Sequence, residues 1–398
     1  VVVFEKVSKS EAIAFRLGAQ NLLERADASE LPTVTGRCGI QNSPPGSALL
    51  ALHARAQDMT QELFDAAVSE EKSVVQTWGM RGAPYFIPTV DAAVFTTGVL
   101  PPTEDAMRHF LLGAGPDVDR LGMSLTEAVE LTGAEIRGVL SGRRLAINEL
   151  GAELAQRIAH SLPRRQRGLW NEEGPHAKGQ PLGEAVVHFC LRILTLQQVV
   201  CFAPRVGNKA PFVLTDEWFG HPIPDTDPTA VRAELLRRYL HCYGPSTRAG
   251  FAAWLGVQVG DTGPWWSLVE DELTPVAYRG TAWMLTDDLA ALRSAPTTRG
   301  VRLLPPRDAY TQLRDRETVV EKKYHRDVWK TSGDPGTVLA DGTIIGTWRP
   351  RKSGRKLTIA VKTFTALPSR HKTAVQSEAE LVGPLRNASS VTVEFETY

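Results

Sequence analysis

Residues 39–47, Gly39-Ile40-Gln41-Asn42-Ser43-Pro44-Pro45-Gly46-Ser47, set a neutral amide in a constrained place. Pro44 and Pro45 fix φ and push the residue before each toward extended backbone. Ser47 is placed to cap the apolar helix that starts at Ala48. Gln41 is then held on a short, stiff connection at a helix mouth, where an amide can orient a water or a base. Asn42 and Ser43 are the polar neighbours that could assist. The alternative is that Gln41 only hydrogen-bonds backbone at a helix start. Arg81, at a turn between Trp78 and Tyr85, is a candidate phosphate clamp, or a solvated turn residue. Arg349, Arg351, Lys352, Arg355 and Lys356 form the densest basic cluster, suited to tracking a polyanion. His325 and Arg326 follow a basic run and could touch phosphate. His53 and Arg55 stand at i and i+2 on the helix after Gln41, so they cannot share a face. One of them is expected to be buried, and His53 reads as a core histidine. Trp265, Trp266 and Trp348 could stack on bases, although tryptophans at strand positions more often belong to a core.

Other chemistries lack their residues. The 9 histidines are scattered with no HxxxH or HExxH, so no metal site is expected. There is no Walker A loop, no GxGxxG after a strand and no GxSxG elbow, and no cofactor is expected. Cys38, Cys190, Cys201 and Cys242 show no CxxC spacing, which argues against disulfide or zinc frameworks and points to the cytoplasm. No apolar run is long enough for a spanning helix, and the start does not read as a secretory signal.

A chain of 398 residues with 42% hydrophobic and 23% charged content reads as an ordinary globular protein of several domains. The formal net charge is zero but unevenly spread. Residues 299–372 carry about 17 Lys and Arg against about 7 Asp and Glu. Such asymmetry marks a polyanion-binding face, or a solvated basic surface without a partner.

The elements that must position these residues follow the hydrophobic pattern. Residues 10–25 read as an amphipathic helix and 61–72 as another. Residues 74–78 and 85–88 read as strands around the turn at 80–84. Ser124 with Glu127 fits a capping box. Thr132-Gly133 should break that helix, leaving short helices before a second at 147–160. Residues 182–202 mix helix with a strand-like end. Residues 230–243 and 247–255, around Gly244-Pro245-Ser246, give the clearest helix-turn-helix, with 276–285 as its wing. Asp341-Gly342 predicts a hairpin between 337–340 and 343–348. Residues 349–356 read as a basic loop, 357–364 as a strand, 377–385 as a short helix and 391–395 as a strand. The expected class is α+β, with tandem winged-helix units and a C-terminal β-barrel-like subdomain. The expected divisions are 1–120 with the Gln41 motif, 121–225, 226–298, and a basic β-rich part at 299–398.

Five features in order resemble one bacterial family. They are the 39–55 stretch; Trp78-Gly79-Met80-Arg81-Gly82-Ala83-Pro84; Arg238-Tyr239-Leu240 with Tyr243-Gly244-Pro245; Leu304-Pro305-Pro306-Arg307-Asp308; and Asp341-Gly342 with Gly346-Thr347-Trp348. The chain is similar to the winged helix DNA-binding domain-containing family, which includes the AlkZ-type DNA glycosylases. The resemblance spans about residues 10–365. It implies excision of bulky alkylated purines from double-stranded DNA by a cofactor-free hydrolase, for repair or genotoxin self-resistance, and crosslinks are included. AlkZ members use two glutamines separated by one residue. Here Gln41 pairs with Ser43 or with Gly39, so only one glutamine is present and Asn42 is the other amide at hand.

A cationic N7-alkylguanine leaves without a strong general acid. The protein then needs only to place a water and stabilise an oxocarbenium-like transition state, which an amide can do modestly. On this reading Gln41, Asn42 and Ser43 are catalytic, and Arg81, His325, Arg326 and the 349–356 cluster hold DNA. A monomer is expected, and no membrane. The alternative is a non-enzymatic winged-helix DNA-binding protein, a regulator or damage binder, which the missing second glutamine favours.

Overall fold

The computed structural model describes residues 4–398. Three sheets organise the chain. The first is antiparallel and runs β2 (Ile40–Gln41), β4 (Pro84–Pro88), β3 (Val74–Trp78), β5 (Val200–Phe202) and β6 (Phe212–Leu214), in that order. It joins segments from either side of residue 120. β1 (Glu5–Lys6) pairs in parallel with β7 (Leu273–Ala277), which forms a hairpin with β8 (Thr281–Leu285). The last sheet contains β9 (Val301–Leu304), β10 (Gly336–Ala340), β11 (Thr343–Ser353), β12 (Lys356–Thr363) and β13 (Ser390–Thr397).

That last sheet is open, with the order β13-β12-β11-β10-β9, where a barrel was expected. The physical reason lies in the connection between β12 and β13. It is the helix Ser369–Leu385, a crossover that makes β12 and β13 parallel. Val375, Ala379 and Val382 of this helix are buried with Val338, Trp348, Ile359 and Val361 on one face of the sheet. A face filled by a helix cannot curl closed on itself.

The helices follow the sequence with instructive exceptions. The helix Lys9–Ala19 is capped by Ser8, whose hydroxyl accepts from Glu11 N–H while Glu11 reaches back. The helix Leu125–Leu140 runs unbroken through Gly133, because Gly133 lies against Leu194, where a Cβ would sit 3.4 Å from its side chain. Packing here outweighs the propensity cost of glycine. The helix Ile147–Ser161 follows. The helices Pro228–Tyr243 and Arg248–Leu255 flank the tight turn as expected, and Ser246 bridges to Trp283 of β8. Residues 349–356 are no loop: they extend β11 and β12 into a long arm that turns at Gly354-Arg355.

A small core joins Val7, Ala12 and Phe15 to Val276 and Met284 of the β7–β8 hairpin. Two larger cores lie beneath the other two sheets. One collects residues from the helices Leu125–Leu140, Leu182–Leu196 and Pro228–Tyr243 with the first sheet. The other joins the helix Ser47–His53 to the C-terminal sheet. Trp265, Trp266 and Trp348 are all fully buried core residues, so none is available to stack on a base.

Candidate functional site

Gln41 ends β2 directly opposite Tyr85 of β4. Residues opposite each other in an antiparallel pair share a face, so both side chains point the same way. Gln41 is 5% exposed, and its Oε1 accepts from Tyr85 Oη and from Arg81 Nη2, each at 3.2 Å. Arg81 Nη2 also donates to Tyr85 Oη at 2.6 Å, and Nη1 donates to the Trp254 carbonyl. A guanidinium carries no acceptor, so Gln41 must turn its oxygen toward it. With both lone pairs of Oε1 engaged, Nε2 is the free end of the amide; it has no partner among the described residues.

Three glycines make this cluster possible. The Tyr85 ring lies between Gly39 and Gly79. A Cβ at Gly39 would meet Tyr85 Cδ1 at 3.1 Å, and one at Gly79 would meet Cδ2 at 3.3 Å. Gly39 also has φ +69°, which suits glycine. The tyrosine ring therefore fills the space beside Gly39. Arg81 sits in the turn Met80–Gly82 at φ 58°. That turn docks on Gly256, φ +101°, where a Cβ would lie 2.8 Å from Arg81 Cα. Burial pushes the Tyr85 hydroxyl above its usual pKa while the Arg81 guanidinium pulls it back, so it stays a phenol that can donate. The Trp254 carbonyl lies near the C-terminal end of the helix Arg248–Leu255, where the dipole favours the cation it meets.

Asn42 is buried, but its Oδ1 accepts from the backbone N–H of Gly46, at 2.9 Å, and Ala48, at 3.3 Å. It does the capping expected of Ser47. The N-cap position itself belongs to Gly46, at φ 87°, and the Ser47 hydroxyl has no partner among the described residues. Ser43 is half-buried and lines a cavity of about 450 Å³ with Arg307, Asp334, Arg349 and Arg386. Arg307 is close enough to bear on the Tyr85 hydroxyl.

Arg81 is thus no exposed clamp: it is half-buried and all its bonds turn inward to the Gln41 cluster. Arg349, Arg351, Lys352, Arg355 and Lys356 are exposed along the β11–β12 arm. Strand alternation puts Arg349, Arg351 and Lys356 on one face and Lys352 on the other. Arg351 pairs with Glu394, and Arg349 donates to the Gly333 carbonyl. Only Arg349 of the five shares the cavity with Ser43. His325 is half-buried, with Nε2 3.0 Å from the Val320 carbonyl and its ring edge-on to Trp329, while Arg326 is exposed.

His53 and Arg55 are both buried, because Arg55 lies beyond the last helical residue and the facing rule does not reach it. Arg55 forms a two-pronged ion pair with Asp308, at 2.7 and 2.8 Å. Neither ring nitrogen of His53 has a partner among the described residues, and burial, with Arg25 and Arg302 nearby, lowers its pKa from 6.5 to about 4. Tyr85 and Arg307 escaped the sequence reading as chemical groups. The pairing of β2 with β4 that brings Tyr85 to Gln41 spans 44 positions, and no local pattern signals it. No group of His, Cys, Asp and Glu among the described residues could hold a metal ion. No helix among them is long and apolar enough to cross a membrane.

A family model described as DNA glycosylase AlkZ-like matches residues 34–384. The chain is 27% identical over 356 residues to an interstrand DNA cross-link repair glycosylase of Streptomyces sahachiroi, covering 86% of this chain and 88% of that protein. The solved structure of the Streptomyces sahachiroi DNA glycosylase AlkZ is similar with a TM-score of 0.75 at 25% identity. That similarity covers 98% of this chain and 100% of the other.

Proposed function

Because the chain belongs to the AlkZ-like DNA glycosylase family, we propose that it hydrolyses the N-glycosidic bond of cationic alkylated purines in duplex DNA, N7-alkylguanine foremost. The observation that carries this reading is the Gln41 amide, pinned through its oxygen by Arg81 and Tyr85 with Nε2 left free. Nε2 holds the attacking water by its oxygen. The C1′–N bond breaks with its electrons passing to the base, which neutralises the cationic purine. Water adds at C1′ and its proton leaves to solvent. No strong acid is needed, which suits a site whose catalytic group is a neutral amide. Undamaged purines, which need protonation to leave, are poor substrates.

Asn42 acts by fixing the turn that carries Gln41, and Ser43 faces the cavity where the strand would lie. The helix pair Pro228–Tyr243 and Arg248–Leu255 with the β7–β8 hairpin forms a winged-helix unit, and the β11–β12 arm supplies phosphate contacts. The relative that repairs interstrand cross-links extends the proposed substrate class to such lesions, whose bulk an open cleft admits better than a base-flipping pocket.

One observation favours binding without chemistry: both lone pairs of Gln41 Oε1 already serve internal bonds. Duplex DNA carrying one N7-alkylguanine, incubated with excess protein and then treated with alkali, separates the two. The glycosylase reading predicts strand scission at the lesion and none at unmodified guanine. Scission no greater than the spontaneous background would leave only a damage binder.

A further inference from the structure

The cavity beside Ser43 holds charge that the site described so far does not use. Arg386 lines it, half-buried, and its guanidinium has no ion pair or hydrogen bond among the described residues. Withdrawing a guanidinium from water without a partner is unfavourable, and burial pushes this one below its usual pKa. Arg386 follows the last turn of the 17-residue helix Ser369–Leu385, where the helix dipole favours a cation and eases that cost. Ser47 lines the same cavity at 3% exposure, and its hydroxyl is also without a partner. Arg307 and Arg349 complete the walls. Asp334 is the one carboxylate in the lining, and it is already paired with Arg307 at 3.3 Å and bonded to Lys330 N–H at 2.9 Å. Three arginines against one neutralised carboxylate leave a positive cavity with a vacant arginine fork.

We propose that this cavity is a phosphate seat, in which one backbone phosphodiester of the DNA strand accepts from Arg386 and from the Ser47 hydroxyl, with Arg307 and Arg349 at its walls. Ser43 lines the seat two residues from Gln41, so a phosphate held there would set the register of the strand over the amide. A guanidinium fork fits a phosphate by two parallel bonds. The proposal rests on the glycosylase reading only in taking DNA as the source of the phosphate.

The test is the salt dependence of binding to undamaged duplex DNA, read by fluorescence anisotropy for wild type and Arg386→Met. Methionine keeps the buried stem and removes the charge. Loss of one phosphate contact lowers the slope of log K against log salt by about 0.9. The thermal midpoint of Arg386→Met should equal or exceed that of wild type, since an unpaired, half-buried charge is gone. If Arg386→Met does not fold, Ser47→Ala is expected to weaken binding about threefold to tenfold at fixed salt, on the scale of one ordinary hydrogen bond. An unchanged slope, or for Ser47→Ala an unchanged affinity, overturns the seat. Titration with inorganic phosphate distinguishes the source: phosphate binding that depends on Arg386 while the DNA slope does not would overturn the assignment to a strand. A wild type that excises nothing, yet loses slope on Arg386→Met, keeps the seat and sinks the glycosylase reading.

Discussion

At the scale of residues, the Gln41 amide is ordered by what surrounds it more than by its own turn. Arg81 fixes which end of the amide faces out, and Tyr85 fills the room beside Gly39 while donating to the same oxygen. Tyr85→Phe keeps the ring between Gly39 and Gly79 and deletes one of the two bonds to Oε1. Excision should fall about tenfold under single-turnover conditions, and stability by about 1 kcal/mol, measured by denaturant unfolding. Excision at the wild-type rate would mean that the tyrosine only fills space. The constraint on the Gln41 segment was legible in the sequence, because prolines and a glycine announced a stiff connection. Its partners were not, since Tyr85 meets it through strand pairing. The capping was legible in kind but was assigned to Ser47; a side chain at Asn42 reaches forward to the same amides.

At the scale of elements, the turn Met80–Gly82 must meet the end of the helix Arg248–Leu255 for Arg81 to reach both Trp254 and Gln41. Gly256 permits that approach. Gly256→Ala places a Cβ 2.8 Å from Arg81 Cα on a backbone at φ +101°. The expected cost is about 1–3 kcal/mol of stability, with slowed excision as Arg81 shifts. A variant with a wild-type melting curve and rate would show that the turn carries no such constraint. The helix pair around Gly244-Pro245 and the Asp341-Gly342 hairpin were legible because their turn residues are local signals. The continuous helix through Gly133 and the open C-terminal sheet were not. Both depend on distant partners, Leu194 in one case and the crossover helix Ser369–Leu385 in the other.

At the scale of the whole molecule, the Gln41 region and the C-terminal sheet share one core, and the buried Arg55–Asp308 pair ties residues 253 positions apart. The charge asymmetry of residues 299–372 was visible in the sequence, while its division among two faces of an arm, internal partners and a cavity needed the fold. His53 lies in the same core and gives it a pH dependence. Its folded pKa, about 4, lies below the ordinary 6.5, with burial the main cause and Arg25 and Arg302 adding to it. The unfolded chain therefore binds the proton first as pH falls. Stability from this residue is fully present above about pH 6.5, is lost on acidification toward pH 4, and amounts to roughly 3 kcal/mol. Denaturant unfolding at pH 7 and pH 4.5 should show that loss in wild type and a smaller one in His53→Gln. Equal losses would place the acid sensitivity elsewhere.

The proposed activity depends on Gln41 acting on a glycosidic bond. Its most direct test is the single-turnover rate of abasic-site formation in N7-alkylguanine duplex, for wild type and Gln41→Ala at matched DNA occupancy. Loss of a positioned transition-state contact predicts that Gln41→Ala excises roughly 100-fold to 1,000-fold more slowly. Equal rates for the two proteins would contradict it.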